Sequence, residues 1–120
     1  MTVAVALEPY VTRAIAEGRQ KQADVALAYG AALDRLKFPA PTSVTWHGPD
    51  IRVSFEGPRH AILLHHIIGF GWVNFWAGKS NDDSGGAGGQ ASDPDGLRRM
   101  ATLHKRFLGS GRRGILQRKR

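Results

Sequence analysis

Histidine is the residue type in this chain best suited to metal binding or proton transfer, and three of its five histidines lie close together. His60 and His65 are separated by five positions, whereas a zinc-binding helix places its histidines at positions i and i+4. His65 and His66 would point about 100° apart on a helix. No carboxylate lies between Glu56 and Asp82 to complete a ligand shell. We therefore expect packed or partly exposed histidines, with no metal and no cofactor.

The other polar residues do not form a catalytic pattern. Apart from Asp82-Asp83 and the Asp93/Asp95 pair, the acidic residues are scattered singly. The serines lie among turn-forming residues, without a nucleophile elbow or a catalytic triad. Ser-Gly-Gly-Ala-Gly-Gly resembles a phosphate-binding loop only superficially, because no Gly-Lys-Ser/Thr follows it. The sequence predicts a protein that is not an enzyme and has no small-molecule substrate.

Positive charge is concentrated at one end of the chain, whose 120 residues have a net charge of +7. Residues 97–120 contain nine Lys or Arg and no acidic residue, whereas residues 1–96 contain eight basic and ten acidic residues, a net charge of −2. Such an arrangement is typical of contact with an anionic partner. The residues that we predict to contact a neighbouring subunit or nucleic acid are Arg98, Arg99, Lys105, Arg106, Arg112, Arg113, Ile115, Leu116, Arg118, Lys119 and Arg120.

Three interpretations of this cationic end stay open. It is a solvated face with a frayed terminus, or a contact with nucleic acid phosphates, or a docking arm for another protein. Phosphate contacts would be independent of the base sequence, because no DNA-recognition helix, RNA-binding motif or zinc finger accompanies the charge. Their affinity would fall strongly with salt. In a docking arm, Ile115 and Leu116 would enter a groove while the basic residues meet acidic side chains. The Ile-Leu pair favours the docking arm, because apolar residues contribute little to phosphate binding.

Length and composition indicate one domain with a modest core. Apolar residues make up 42% of the chain and charged residues 22%, which is ordinary for a globular protein. The absence of cysteine excludes disulfides and thiolate metal sites and suits a reducing compartment. The first residues lack the pattern of a signal peptide, and the longest apolar stretch, AILLHHIIGFGWVNFWAG, is too short and too polar for a membrane span. We expect a soluble protein.

One long amphipathic helix is predicted at the N-terminal end, over residues 7–38 (LEPYVTRAIAEGRQKQADVALAYGAALDRLKF). Pro9 suits a first helical turn, and Pro39 and Pro41 would stop the helix. About 28 residues would span roughly 40 Å, longer than a core of this size needs. The helix therefore either lies across a small sheet or packs part of its apolar seam against a neighbouring subunit.

Strands are predicted in the middle of the chain. Residues 42–57 (TSVTWHGPDIRVSFEG) alternate apolar and polar residues around turn formers and predict a hairpin. Residues 58–68 fit either a short buried helix or a strand. A third strand is predicted over WVNFW, with large aromatic residues on both faces. Trp72, Phe75 and Trp76 then form either part of the monomer's core or a subunit interface.

A flexible loop is predicted over residues 78–96, which are nearly free of apolar residues and rich in turn formers. An amphipathic helix over residues 97–108 would follow and dock its apolar stripe on the core, and residues 109–120 would form a basic arm. The predicted fold is α+β: a core over residues 1–77 with a long N-terminal helix packed on a small antiparallel sheet, then a C-terminal helix and an extended basic tail.

This order of elements resembles the tail-completion, or head–tail joining (neck), proteins of long-tailed bacteriophages. The resemblance covers residues 7–71: the long helix is followed by the strand IRVSFEG, which leads through GPRHAILLHHIIGFG into a glycine turn. It implies a non-enzymatic virion protein that is assembled in the host cytoplasm and forms a homo-oligomeric ring. The basic arm would dock on neighbouring virion proteins, with non-specific DNA contact also open. The alternative is a sequence-independent nucleic-acid-binding protein that uses the basic C-terminal segment.

Overall fold

Three helices and five strands form the part of the chain that this computed structural model describes, which is residues 1–57, 62–79 and 82–117. The helices are α1 (Val3–Ala16), α2 (Gln20–Arg35) and α3 (Pro94–Gln117). The strands are β1 (Ser43–His47), β2 (Asp50–Glu56), β3 (Ile62–Ile68), β4 (Val73–Lys79) and β5 (Asp82–Ala91). The predicted α+β class is confirmed. None of the helices in the described ranges is both long and apolar enough to cross a membrane.

The five strands form one antiparallel sheet in the order β1-β2-β3-β4-β5. Alternate residues of β2, such as Val53 and Phe55, are buried in the core, while Arg52 and Ser54 between them are half-buried. The helices cover the face that carries the buried residues, and α1 reaches β1 through the Tyr10 hydroxyl, which donates to the Val44 carbonyl at 2.8 Å. The core therefore lies between the helices and one face of the sheet.

The N-terminal segment is a helical hairpin, so the prediction of one long helix over residues 7–38 is wrong. α1 ends at Ala16 because Gly18 adopts φ +77°, a conformation that glycine takes without strain. The amides of Gly18 and Arg19 donate to the Ile15 and Ala14 carbonyls at 3.1 and 2.7 Å, the pattern of a Schellman motif. The chain then turns back as α2.

The Asp34 carboxylate links α1 and α2 at the end of the hairpin opposite the turn. Asp34 near the end of α2 accepts hydrogen bonds from the backbone amides of Val3 and Ala4, at 2.8 and 3.0 Å. These amides belong to the first turn of α1, where they have no partner within the helix. The close approach favours glycine at position 30, since a Cβ there would lie 3.2 Å from the Ala4 Cα, a tight contact.

The middle of the chain contains more strand than predicted. For residues 58–68 the structure gives the strand β3 from Ile62, and residues 58–61 lie outside the described ranges. The third strand predicted over WVNFW is confirmed as β4. The loop prediction for residues 78–96 is wrong for β5 and for the end of β4. Glycine in β5 has a packing reason: a Cβ on Gly89 would lie 2.8 Å from Cζ of Phe75 on β4.

The C-terminal helix α3 begins at Pro94, as its entry Asp93-Pro94-Asp95, with an acidic cap and a first-turn proline, indicates. Asp93 caps it by accepting a hydrogen bond from the Gly96 amide at 2.7 Å. Its predicted docking on the core is confirmed by the buried residues Leu97, Met100, Ala101, His104 and Leu108. The helix continues beyond residue 108 to Gln117. The basic arm over residues 109–120 stays a prediction, because the side chains of residues 109–117 and the whole of 118–120 lie outside the described part.

Candidate interaction surfaces

The outward side of α3 carries the first part of the predicted basic contact. We call it the α3 surface, formed by Arg98, Arg99, Thr102, Leu103 and Arg106, all of which are exposed. Together with Asp95 these residues line a shallow hollow of about 400 Å³. The amphipathic pattern produces this arrangement, because the apolar stripe faces the core and turns the arginines outward.

The charges of the α3 surface are only weakly compensated by the chain itself. Arg98 forms an ion pair with Asp95 one turn earlier, but both side chains are about half or more exposed, so the pair contributes little to stability. Arg99 and Arg106 have no acidic partner within 4 Å among the residues described. Their guanidinium groups therefore present uncompensated positive charge to solvent.

Lys105 has a different role from the arginines beside it. Its ammonium donates to the carbonyl of Lys37 at 3.0 Å and lies 5.6 Å from the centre of the Phe38 ring. Lys37 follows the end of α2 and has φ +60°, so the ammonium lies at the negative end of the α2 dipole. Lys105 thus stabilises the packing of α3 on α2.

The other predicted basic contacts stay predictions. They lie beyond the side chains that the structure describes: Arg112, Arg113, Ile115, Leu116, Arg118, Lys119 and Arg120.

The second surface is the face of the sheet that points away from the helices, which we call the open face. Strand register brings two rows of residues together there. One row is Thr45, Arg52, Ile67, Asn74 and Gln90, and the next is Ser43, Ser54, His65, Trp76 and Gly88. No helix or strand of the described ranges covers these rows.

An aromatic stack occupies the centre of the open face. The His65 imidazole stacks on the Trp76 indole with ring centres 5.7 Å apart and an angle of 23°, and Ser54 Oγ lies 3.1 Å from His65 Nδ1. Trp76 faces Gly88 on β5, which carries no side chain to cover the indole. Trp76, His65 and Ile67 are each half-buried. The open face is therefore a mixed apolar and polar surface with a flat aromatic centre.

The three aromatic residues predicted as a subunit interface do not share one surface. Trp76 lies on the open face. Phe75 points to the opposite side and contacts the His104 ring edge-on, with ring centres 5.1 Å apart. Trp72 packs over the turn before β4, where a Cβ on Gly69 would lie 2.8 Å from its ring. Of the three, only Trp76 could meet a partner through the open face.

Sequence reasoning missed a buried chain of three polar side chains, one from each of α2, β3 and α3. Tyr29 Oη lies 2.6 Å from His66 Nδ1, and His66 Nε2 lies 2.8 Å from His104 Nδ1. All three residues are 0–1% exposed. The alternation of β3 and the apolar stripe of α3 place both histidines on buried faces, but only the tertiary packing brings them together.

Burial keeps both of these histidines neutral. It lowers the pKa of His66 well below its ordinary value, and the neighbouring His104 lowers it further. Burial also lowers the pKa of His104 to about 4 and raises that of Tyr29. Because these groups are enclosed, they contribute to packing rather than to a reaction with a solute. Within the described residues, no three His, Asp or Glu side chains are grouped to bind a metal ion.

Comparison with protein-family models, curated proteins and solved structures finds no match to this chain. Within the described residues, the α3 surface and the open face are the two surfaces suited to a partner.

Proposed function

We propose that this chain is a non-enzymatic structural subunit that forms a homo-oligomer in a virion, as a head–tail connector or tail-completion component. The observation that carries the proposal is the open face of the sheet. Its centre presents the half-buried Trp76 indole, and aromatic residues of this kind are enriched at the centres of protein interfaces. A second copy of the chain would exclude water from that face.

Charge favours a second copy over a highly charged partner at this face. The charged side chains whose positions point to this side of β2 are Asp50, Arg52 and Glu56, and they nearly cancel. The chain as a whole has a net charge of +7, so two copies would repel each other least where the local charge is lowest. The open face provides such a region, whereas the α3 surface does not.

The virion setting is supported by the order of elements over residues 7–71. A hairpin is followed by β3, which runs into the turn from Gly69 to Gly71, as in the layout of the phage tail-completion proteins. The chain departs from that layout at its N-terminal end, where two short helices replace one long helix. A ring would require a heterologous contact between the open face and a different surface of the next copy, whereas open face against open face would give a dimer.

The test is the oligomeric state of the purified full chain, measured by sedimentation velocity and by negative-stain microscopy. We expect an oligomer whose dissociation constant rises about 30-fold or more in Trp76→Thr, because removing a central aromatic residue costs about 2 kcal/mol or more of binding free energy. Threonine preserves the strand preference and the charge. Leu27→Thr is the matched control, since Leu27 on α2 is 55% exposed and points away from the sheet.

Two results would contradict the proposal. The first is a wild-type chain that remains monomeric at all accessible concentrations. The second is dissociation by Leu27→Thr with no effect of Trp76→Thr, which would locate the interface on the helices. Thermal unfolding of each variant would show whether a change in association reflects loss of the fold.

A further inference from the structure

The basic residues of the C-terminal segment recur in pairs at a spacing of seven residues. The pairs are Arg98-Arg99, Lys105-Arg106, Arg112-Arg113 and Lys119-Arg120. The first three fall within α3, which is one continuous helix from Pro94 to Gln117. Seven residues make almost two helical turns, or about 10.5 Å along the axis. The sequence repeat therefore becomes a spatial repeat along one side of the helix.

Positions 99, 106 and 113 follow one another along the helix backbone at this repeat, and we call them the basic row. The buried stripe of α3, with Leu97 and His104, lies on the opposite side, so Arg99 and Arg106 are exposed. Lys105, the first member of its pair, lies nearer the body, where it donates a hydrogen bond to the Lys37 carbonyl. Arg113 follows Arg106 in the same backbone register.

We propose that the basic row binds the phosphate backbone of duplex nucleic acid without reading its sequence. Arginine suits this role, because the guanidinium group remains charged and donates two parallel hydrogen bonds to phosphate oxygens. Duplex nucleic acid carries about one phosphate charge per 1.7 Å of its axis. It therefore offers anionic partners to several arginines that are about 10.5 Å apart, without a match to any base sequence.

The composition of the α3 surface favours a polyanion over an acidic protein. Protein interfaces deplete charge at their centres and depend on apolar or aromatic anchors. Leu103, 53% exposed, is the apolar member of this surface, and it flanks the basic row. Phosphate binding needs no such anchor, because its free energy comes from released counterions.

The proposal goes beyond the structural role and does not depend on it, since the basic row and the open face belong to different sides of the fold. It also predicts how steeply the affinity for nucleic acid falls as the salt concentration rises. Each phosphate contact contributes a slope of about −0.9 to the dependence of log K on log salt, which corresponds to about an eightfold gain in affinity at 0.1 M salt relative to 1 M. Two lost contacts should therefore weaken binding about 60-fold at 0.1 M salt.

The experiment is fluorescence anisotropy of the full chain with two labelled duplex DNAs of unrelated sequence, across a range of salt. Arg99→Gln/Arg106→Gln removes two charges from the basic row. Lys21→Gln/Arg35→Gln is the matched control, since it removes two charges from exposed positions on α2. We expect equal affinity for the two duplexes, about a 60-fold loss and a slope shallower by about 2 in the row variant, and less than about a threefold loss in the control.

Three outcomes would overturn the proposal. If both double variants lose affinity equally, net charge rather than the row is responsible. If the wild-type chain binds labelled poly-L-glutamate more tightly than duplex DNA, the α3 surface is a docking site for acidic protein. If the wild type binds neither probe at low salt, the row is a solvated helix face. None of these outcomes changes the result expected for Trp76→Thr in sedimentation, so the two proposals fail separately.

Discussion

The buried Tyr29–His66–His104 chain forms both of its hydrogen bonds with neutral histidines. When the tyrosine hydroxyl donates to His66 Nδ1, the proton on His66 Nε2 points to His104 Nδ1, and the opposite tautomers reverse both directions. This arrangement links α2, β3 and α3 through two hydrogen bonds in the core. Protonation would give either imidazole a second N–H and a positive charge inside the core, so burial favours neutral histidines in this chain.

Acid should therefore destabilise the fold. An unfolded histidine takes up its proton near the ordinary pKa of 6.5, whereas folded His104 does so at about 4 and folded His66 also does so below 6.5. Between these values the unfolded chain binds more protons. The free energy of unfolding should be highest above about pH 6.5 and fall as the pH drops toward 4, by about 1.4 kcal/mol per pH unit for each histidine. Urea denaturation at a series of pH values measures this slope.

A pair of variants isolates the buried histidines from the carboxylates that titrate in the same range. His104→Asn leaves an amide oxygen close to the place of Nδ1 and removes one titrating group, so the slope should become shallower by about 1.4 kcal/mol per pH unit. His47→Asn, at an exposed position on β1, should leave the slope unchanged. Equal slopes for wild type and His104→Asn would show that His104 does not carry the pH dependence.

At the scale of the element, Gly18 decides whether the N-terminal segment is one helix or two. Its φ of +77° lies in the left-handed region, and a Cβ there would meet no atom within 4 Å. The effect of a substitution is therefore conformational rather than steric. An ordinary L-residue in this conformation costs roughly 1–2 kcal/mol, and asparagine costs less because it tolerates the left-handed region.

Gly18→Ala should lower the free energy of unfolding by about 1 kcal/mol, and Gly18→Asn should lower it by less. Denaturant unfolding gives both values, and far-UV circular dichroism reports the helix content. If Gly18→Ala were neutral or stabilising and raised the helix content, the segment would prefer the single long helix that its apolar periodicity predicts. The Schellman turn would then not govern the fold of this segment.

The elements that could be predicted from sequence are those with a strong local signal. Alternation predicted the β1–β2 hairpin, and the apolar stripe predicted the buried side of α3. The same reliance on local pattern explains the errors. Gly18 interrupts the row of apolar residues along the single helix predicted over residues 7–38. Its place in that row does not reveal that its φ angle is positive. The sequence of β5 predicts a loop because it contains several glycines. In the structure Gly89 leaves room for the Phe75 ring, and this contact across the sheet is not visible in the local sequence.

The candidate sites divide in the same way. The basic side of α3 follows from its amphipathic pattern, so the exposure of Arg99 and Arg106 could be predicted. The separation of Trp76 from Phe75 follows from strand alternation. The contact between His66 and His104 could not be predicted, because it joins residues 38 positions apart through the docking of α3 on the sheet. The role of Lys105 likewise depends on where α2 ends.

At the scale of the whole molecule, the two surfaces lie on opposite sides. The α3 surface points away from the sheet, because the other side of α3 is buried on it, and the open face points away from the helices. Association of copies through the open face would therefore leave each basic row accessible. The two rows of an open-face dimer would point in opposite directions, so one stiff duplex could not contact both. In a ring built by a heterologous contact, neighbouring rows would repeat around the ring, and linked weak contacts would gain affinity through effective concentration.

A ring predicts that oligomerisation strengthens binding to long duplexes and not to short ones. The row from position 99 to 113 spans about 21 Å, or about six base pairs. A duplex of about eight base pairs can occupy one row, whereas one of about 60 base pairs can contact several. Trp76→Thr, which weakens association without changing the charge, should therefore reduce affinity for the long duplex about a hundredfold or more and leave the short duplex within about twofold.

Leu27→Thr should change neither affinity. Equal losses on both duplexes would mean that Trp76 contacts the nucleic acid itself, and unchanged affinity on both would mean that the rows act singly even in the oligomer.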